Sequence, residues 1–271
     1  MTASSLALIL FLAGIAPAGG TEPPAILSEI GFDQKLGQAV PPDLAFRDEG
    51  GRPVRLGDYF GRKPVVLNLV YFDCPMLCTV SLSGLASALD VLSFTAGREF
   101  ELVTISFDPR EKPARAAAAK KVHLERYSRP GAEGGWHFLT GDKEAIDRLT
   151  RAVGFRYVWD EETKQFAHPA GLLVLTPEGR IARYLFGIEY APKDLRLALV
   201  EAGAGRVGTP FDQVLLYCFK YDPHRGRYSA QILNLVRLGA GLTVLALGAL
   251  ILTLRRREND QALAQPAVQG S

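Results

Sequence analysis

The sequence predicts an α/β sandwich built on a mixed central sheet, followed by one transmembrane helix. Three observations carry that reading. Apolar runs of strand length alternate with apolar residues at helical spacing through the middle of the chain. The alternation closes on two strands around a single turn. Near the C-terminus an unbroken apolar segment stops at three consecutive arginines.

In order, "VPPDLAFRDEGGRPVRLGDYFG" reads as two short strands around a Gly-Gly turn. "KPVVLNLVYF" is a continuous apolar strand, as strands buried on both faces tend to be. From Cys78 onward, Leu82, Leu85, Leu89 and Leu92 recur at three and four, which marks a helix face. "FELVTISFD" is a second buried strand. Asp108 and Glu111 then read as a capping box for an alanine-rich helix ending near Tyr127, with Pro109 just inside its start. "WHFLTGDKEAIDRLTRAVG" repeats strand, cap and helix. "AGLLVLTPEGRIARYLFG" supplies two strands around "TPEG", and a last helix runs from Pro192 to Ala202. Strands that alternate with helices and end in a hairpin imply a thioredoxin-like sandwich, with ligands expected at the carboxyl ends of the central strands.

The ends of the chain set the compartment. Leu6 to Ile15 is apolar and is followed by Ala16, Pro17 and Ala18, a pattern that suits signal-peptide cleavage before Gly19. Leu238 to Leu254 is apolar throughout and is closed by Arg255, Arg256 and Arg257; as a helix it reaches about 25 Å. Lys220, Arg225, Arg227 and Arg237 flank its other end, so charge alone does not orient it, and the signal sequence decides. The expected organisation is a signal peptide over residues 1–18, a leader over 19–40, the folded domain over 41–204, a juxtamembrane segment over 205–231, a transmembrane helix over 232–254 and a cytoplasmic tail over 255–271. The domain is expected in the periplasm on a single-pass inner-membrane protein, an oxidising compartment. A formal net charge of +2 on 271 residues gives no nucleic-acid footprint. No phosphate-cradling glycine loop or hydrolase triad appears.

"NLVYFDCPMLCTVSLSGLASAL" places Cys74 and Cys78 four apart where a strand gives way to a helix. Residues i and i+4 share a helix face, so both sulfurs can converge on one point. Pro75 suits a first helical turn, and the helix N-terminus is expected to lower the thiol pKa values. Such a pair is a staple, a redox couple or a metal site, and spacing alone does not choose. Soft thiolates favour Cu(I), with Zn(II) as competitor. Among the four histidines, His123 reads as surface, His137 as packing and His224 as solvated near the membrane. His168, in the loop "KQFAHPAG" before a strand, faces the cysteine-bearing helix start in a sheet of this kind. Cys218, the odd thiol, reads as a buried apolar residue in "LLYCF".

The set "YFDCPMLCTVSLSGL", "ISFDPREKP", "WHFLTGDKEAIDRL" and "AHPAGLLVLTPEGRI" resembles the Sco (SCO1/SenC) family over about Pro41 to Ala202. That resemblance implies a copper-binding thioredoxin-like domain, with copper as Cu(I) or Cu(II) held by Cys74, Cys78 and His168. It implies a metallochaperone that assists assembly of the copper-A centre of cytochrome c oxidase subunit II, loaded by a periplasmic copper donor. Two positions depart from the family's pattern: Thr79 stands where proline is frequent, and Ala167 where an acidic residue often precedes the histidine. The second removes an outer partner of the histidine. The anchor is C-terminal here, whereas the family's is commonly N-terminal. Asp108 reads either as a helix cap or as an acidic neighbour of the site, and Asp73 as a turn residue or a tuner of thiol basicity. The alternative function is a membrane-tethered thiol-disulfide reductase using Cys74 and Cys78 as a redox pair. A peroxidase of the same fold wants threonine three residues before its cysteine, where Tyr71 and Pro75 stand instead.

Overall fold

The computed structural model describes residues 26–74, 77–207, 221–222, 227–228 and 230–263. The segment expected to be a signal peptide, residues 1–18, and Pro75, Cys218 and His224 lie outside the described residues. The chain divides into two compact units between Gly208 and Thr209.

The first unit is built on a five-stranded sheet. Its strands are β1 (Val65–Val70), β2 (Glu101–Ser106), β3 (Trp136–Leu139), β4 (Gly171–Leu175) and β5 (Ile181–Phe186), in the order β5-β4-β1-β2-β3. β1, β2 and β3 run parallel, and β4 is antiparallel to both β1 and β5. This is the mixed thioredoxin-like sheet expected from the sequence. All six residues of β1 are buried, the reason that strand shows no polar alternation. Four helices pack with the sheet: α1 (Leu77–Asp90), α2 (Pro113–Arg126), α3 (Lys143–Val153) and α4 (Pro192–Gly203). The core between them holds Phe100, Phe107, Trp136 and Phe138, all fully buried. Trp136 donates its indole N–H to Thr104 Oγ1 at 2.9 Å, so its one polar atom is satisfied.

Local chemistry explains most boundaries. Asp142 caps α3 by accepting from the Ala145 amide at 2.8 Å, and Gly154 ends it at φ 68°. The "DEGG" turn joins Ala45–Arg47 to Pro53–Arg55 as an antiparallel pair. α2 departs from expectation. It opens at Pro113, with Lys112 extended at the N-cap and making no side-chain cap, so neither Asp108 nor Glu111 caps it. A residue before proline is disfavoured in helical conformation, which bars the helix from starting earlier and running through Lys112. His123 also departs from its surface reading. It is buried on α2 and its ring lies parallel to Phe138, centroids 6.2 Å apart. His137 packs on Tyr59 and meets Glu101 at 3.2 Å.

In the second unit, Tyr221–Asp222 pairs antiparallel with Arg227–Tyr228, and α5 runs from Ala230 to Leu263. Arg237–Arg255 is long and apolar enough to cross a membrane, with mean hydropathy 1.9 and none of it buried in the protein. Nineteen residues of helix span about 28 Å, close to a bilayer's hydrocarbon thickness. The helix does not stop at the arginines but continues to Leu263.

Candidate metal centre

β1 ends at Val70, and a short loop carries the chain into α1. Cys74 sits on that loop and Cys78 in the first turn of the helix. The Cys78 amide donates to Cys74 Sγ at 3.4 Å, so one sulfur occupies the position of a capping group over an unpaired helix N–H. The pair is in the dithiol form, and both residues are buried.

His168 arrives on a separate segment of the chain, ahead of the strand that pairs with β1. A hairpin of Val158–Asp160 and Gln165–Ala167, which sequence periodicity did not reveal, delivers it just before β4. Its Nδ1 lies 3.0 Å from the Pro169 carbonyl, which can only accept; Nδ1 therefore carries the proton and Nε2 presents its lone pair. The Cys78 thiol donates to that Nε2 at 3.3 Å. The Pro169 carbonyl thus takes the orienting role that an acidic residue at position 167 would have filled. The ring is enclosed by aromatic neighbours: Phe107 at 5.1 Å, Tyr71 at 5.8 Å and Phe155 at 6.3 Å.

One atom from each of Cys74, Cys78 and His168 lies within 4.8 Å of the other two, forming the one group of metal-capable side chains among the described residues. The three residues singled out in the sequence therefore converge. The electrostatics differ from expectation. The Cys78 thiol pKa is raised, first by its hydrogen bond with Cys74, then by burial and by the charge of the neighbouring sulfur. The helix terminus does not overcome these effects, because two anionic sulfurs in a dry site repel each other unless a cation sits between them. A soft cation would remove that penalty by replacing the thiol proton.

Several supports were invisible to periodicity. Tyr71, buried just past the end of β1, packs edge-on against the His168 ring, and its pKa is raised by burial first and then by Cys74 and Cys78 beside it. Asp108 neither caps α2 nor reaches the sulfurs. It chelates Arg110 through Nε at 2.8 Å and Nη2 at 2.8 Å, and the guanidinium stacks 4.7 Å over Trp159. That contact ties the β2–α2 loop to the hairpin carrying His168. Asp73 is exposed and pairs with Arg115. A groove of about 390 Å³, lined in part by Tyr71, Asp73, Arg110, Trp159 and Lys164, adjoins this side of the site.

Comparison with known proteins identifies the family. A protein of Stutzerimonas stutzeri named "Putative copper-binding protein" is 25% identical over 182 residues, covering 66% of this chain and 84% of its own length. A crystal structure from Aquifex aeolicus VF5, described as a "putative electron transfer protein", is 28% identical with a TM-score of 0.56, covering 63% of this chain and 95% of that one. The Arabidopsis thaliana ScoI structure with copper bound shares the fold at 21% identity and a TM-score of 0.51, covering 62% of this chain and 99% of that one. The SCO1/SenC family model matches residues 33–199, well over half of the chain and inclusive of the five-stranded sheet and of Cys74, Cys78 and His168, and the chain belongs to that family.

Proposed function

We propose that this protein is a copper metallochaperone that binds one copper through Cys74, Cys78 and His168 and assists assembly of the copper-A centre of cytochrome c oxidase subunit II. The observation that carries the reading is the donor set itself: two sulfurs and an imidazole Nε2 within 4.8 Å of one another, with the tautomer fixed from behind by the Pro169 carbonyl. Two thiolates and one imidazole suit Cu(I), and the aromatic enclosure limits water at the site. Zinc usually takes a fourth ligand, and no other His, Cys, Asp or Glu among the described residues joins the group. Copper is cargo in this reading, taken from a periplasmic donor and passed to the oxidase subunit. The domain faces the periplasm on a protein anchored by α5.

The reductase reading shares the cysteine pair but gives His168 no direct part. The raised pKa of Cys78 counts against that residue as the attacking sulfur, since exchange requires thiolate. Cytochrome oxidase activity in cells carrying each variant distinguishes the two. Loss of activity in His168→Ala alongside Cys74→Ser and Cys78→Ser is expected for a chaperone. Normal activity of His168→Ala in low copper would select the reductase.

A further inference from the structure

We infer that Glu111 is a positioning residue for the metal centre: its buried carboxylate, reaching in from the β2–α2 loop, fixes the backbone that presents Cys74. The inference rests on the copper-binding reading above. The Phe72 amide donates to one carboxylate oxygen at 2.9 Å and the Asp73 amide to the other at 2.7 Å. The Ser106 hydroxyl at the end of β2 donates to the first oxygen as well. Glu111 is 7% exposed, so this is an interior carboxylate with both oxygens occupied, not a surface charge.

The two amides belong to the two residues immediately before Cys74. Successive N–H groups pointing to one side of a turn form a concavity that binds an anion, and here the chain supplies the anion itself. The rest of the turn is closed by Cys74 N–H to the Tyr71 carbonyl at 3.3 Å, and by Phe107 N–H to the Val70 carbonyl at 2.8 Å. Without the carboxylate, the Phe72 and Asp73 amides lose their partner in a half-buried turn, and the turn relaxes toward solvent. Cys74 moves with it, while Cys78, fixed by α1, and His168, fixed by Pro169, stay in place. The consequence is a displaced ligand in an otherwise intact fold.

Glu111→Gln keeps shape and removes charge, but a carboxamide has a single acceptor oxygen and presents N–H groups to the second amide. The test uses the full chain in detergent, fully reduced, with Cu(I) affinity measured by competition with a chromophoric chelator. Backbone exchange of the 70–74 segment is followed by hydrogen-exchange mass spectrometry. Wild type is expected to bind one Cu(I). Glu111→Gln is expected to bind about 10- to 100-fold more weakly, the range for loss of a group that orients a ligand, and to exchange faster across residues 70–74. Ser106→Ala, which leaves the carboxylate in place, should show a smaller loss of the same kind and serves if Glu111→Gln does not fold. Leu149→Ala on α3 is the stability control, since it weakens the core without touching the loop. It should lower the melting temperature with Cu(I) affinity unchanged. Wild-type binding with an affinity for folded Glu111→Gln or, failing that, Ser106→Ala within twofold of it overturns the positioning role alone. Failure of wild type to bind Cu(I) overturns the copper reading, and the positioning role with it.

Discussion

Acid should weaken this fold through one buried histidine. His123 is 5% exposed, packed on Phe138 and Trp136, and its Nδ1 has no hydrogen-bond partner. Burial pushes its pKa from 6.5 down to about 4. Between those values the unfolded chain binds the proton and the folded chain does not. His123 therefore contributes fully above pH 6.5, and stability drains away as pH falls towards 4. For this single group the linkage relation gives a loss of about 2 kcal/mol at pH 5 and about 3 kcal/mol at pH 4, relative to neutral pH. In a domain of this size, 2 kcal/mol corresponds to about 4–8 °C in Tm. His123→Phe keeps a flat ring on Phe138 and removes the titration. The assay is thermal unfolding of the full chain in detergent from pH 7.5 to pH 4, read by near-UV circular dichroism of the tryptophans. The variant should lie close to wild type at pH 7.5, within about 1.5 kcal/mol for a nearly volume-conserving change, and should lose much less stability in acid. Parallel acid limbs for the two proteins would refute the reasoning.

Further outcomes follow from particular contacts. A Cβ on Gly84 of α1 would lie 2.1 Å from the Ile188 carbonyl oxygen, so Gly84→Ala should lose about 1–3 kcal/mol by overpacking, more than the roughly 1 kcal/mol of helix propensity that alanine brings; a denaturant titration showing stabilisation would contradict that contact. Oxidising Cys74 and Cys78 to a disulfide before loading should abolish copper binding, because a sulfur bonded to sulfur has no thiolate charge to offer; metal analysis of both forms checks it. A reporter fused after Ser271 should be active in the cytoplasm, and one inserted within 203–208 should report from the periplasm; a cytoplasmic signal from the inserted reporter would reverse the orientation.

How much of this was legible in the sequence depends on the range of the interaction involved. β1 announced itself because burial on both faces leaves no polar alternation, and α3 because Asp142 and Gly154 are local caps. The CxxxC pair was visible as spacing, and His168 as the histidine whose loop precedes a central strand. The outcome at Asp108 and Glu111 was not legible. Their spacing matches a capping box, but what occupies them is distant in sequence or outside the helix: Glu111 binds amides 38 and 39 residues away, and Asp108 holds an arginine that stacks on Trp159. His123 misled for a similar reason, since an alanine-rich helix hides which side faces the sheet until Phe138 and Trp136 are in place. The thiol pKa was misjudged because helix-terminus reasoning treats each sulfur alone, whereas the buried pair couples them.

The proposed function requires the three side chains to act together as one copper site, and copper content of the reduced, full-length protein tests that most directly. Wild type, Cys74→Ser, Cys78→Ser and His168→Ala would each be loaded anaerobically with Cu(I) and then challenged with a competing chelator. One copper per chain retained by wild type, none by either serine variant and markedly less by His168→Ala is the predicted result. Retention by His168→Ala equal to wild type, or by either serine variant at one copper per chain, would contradict it.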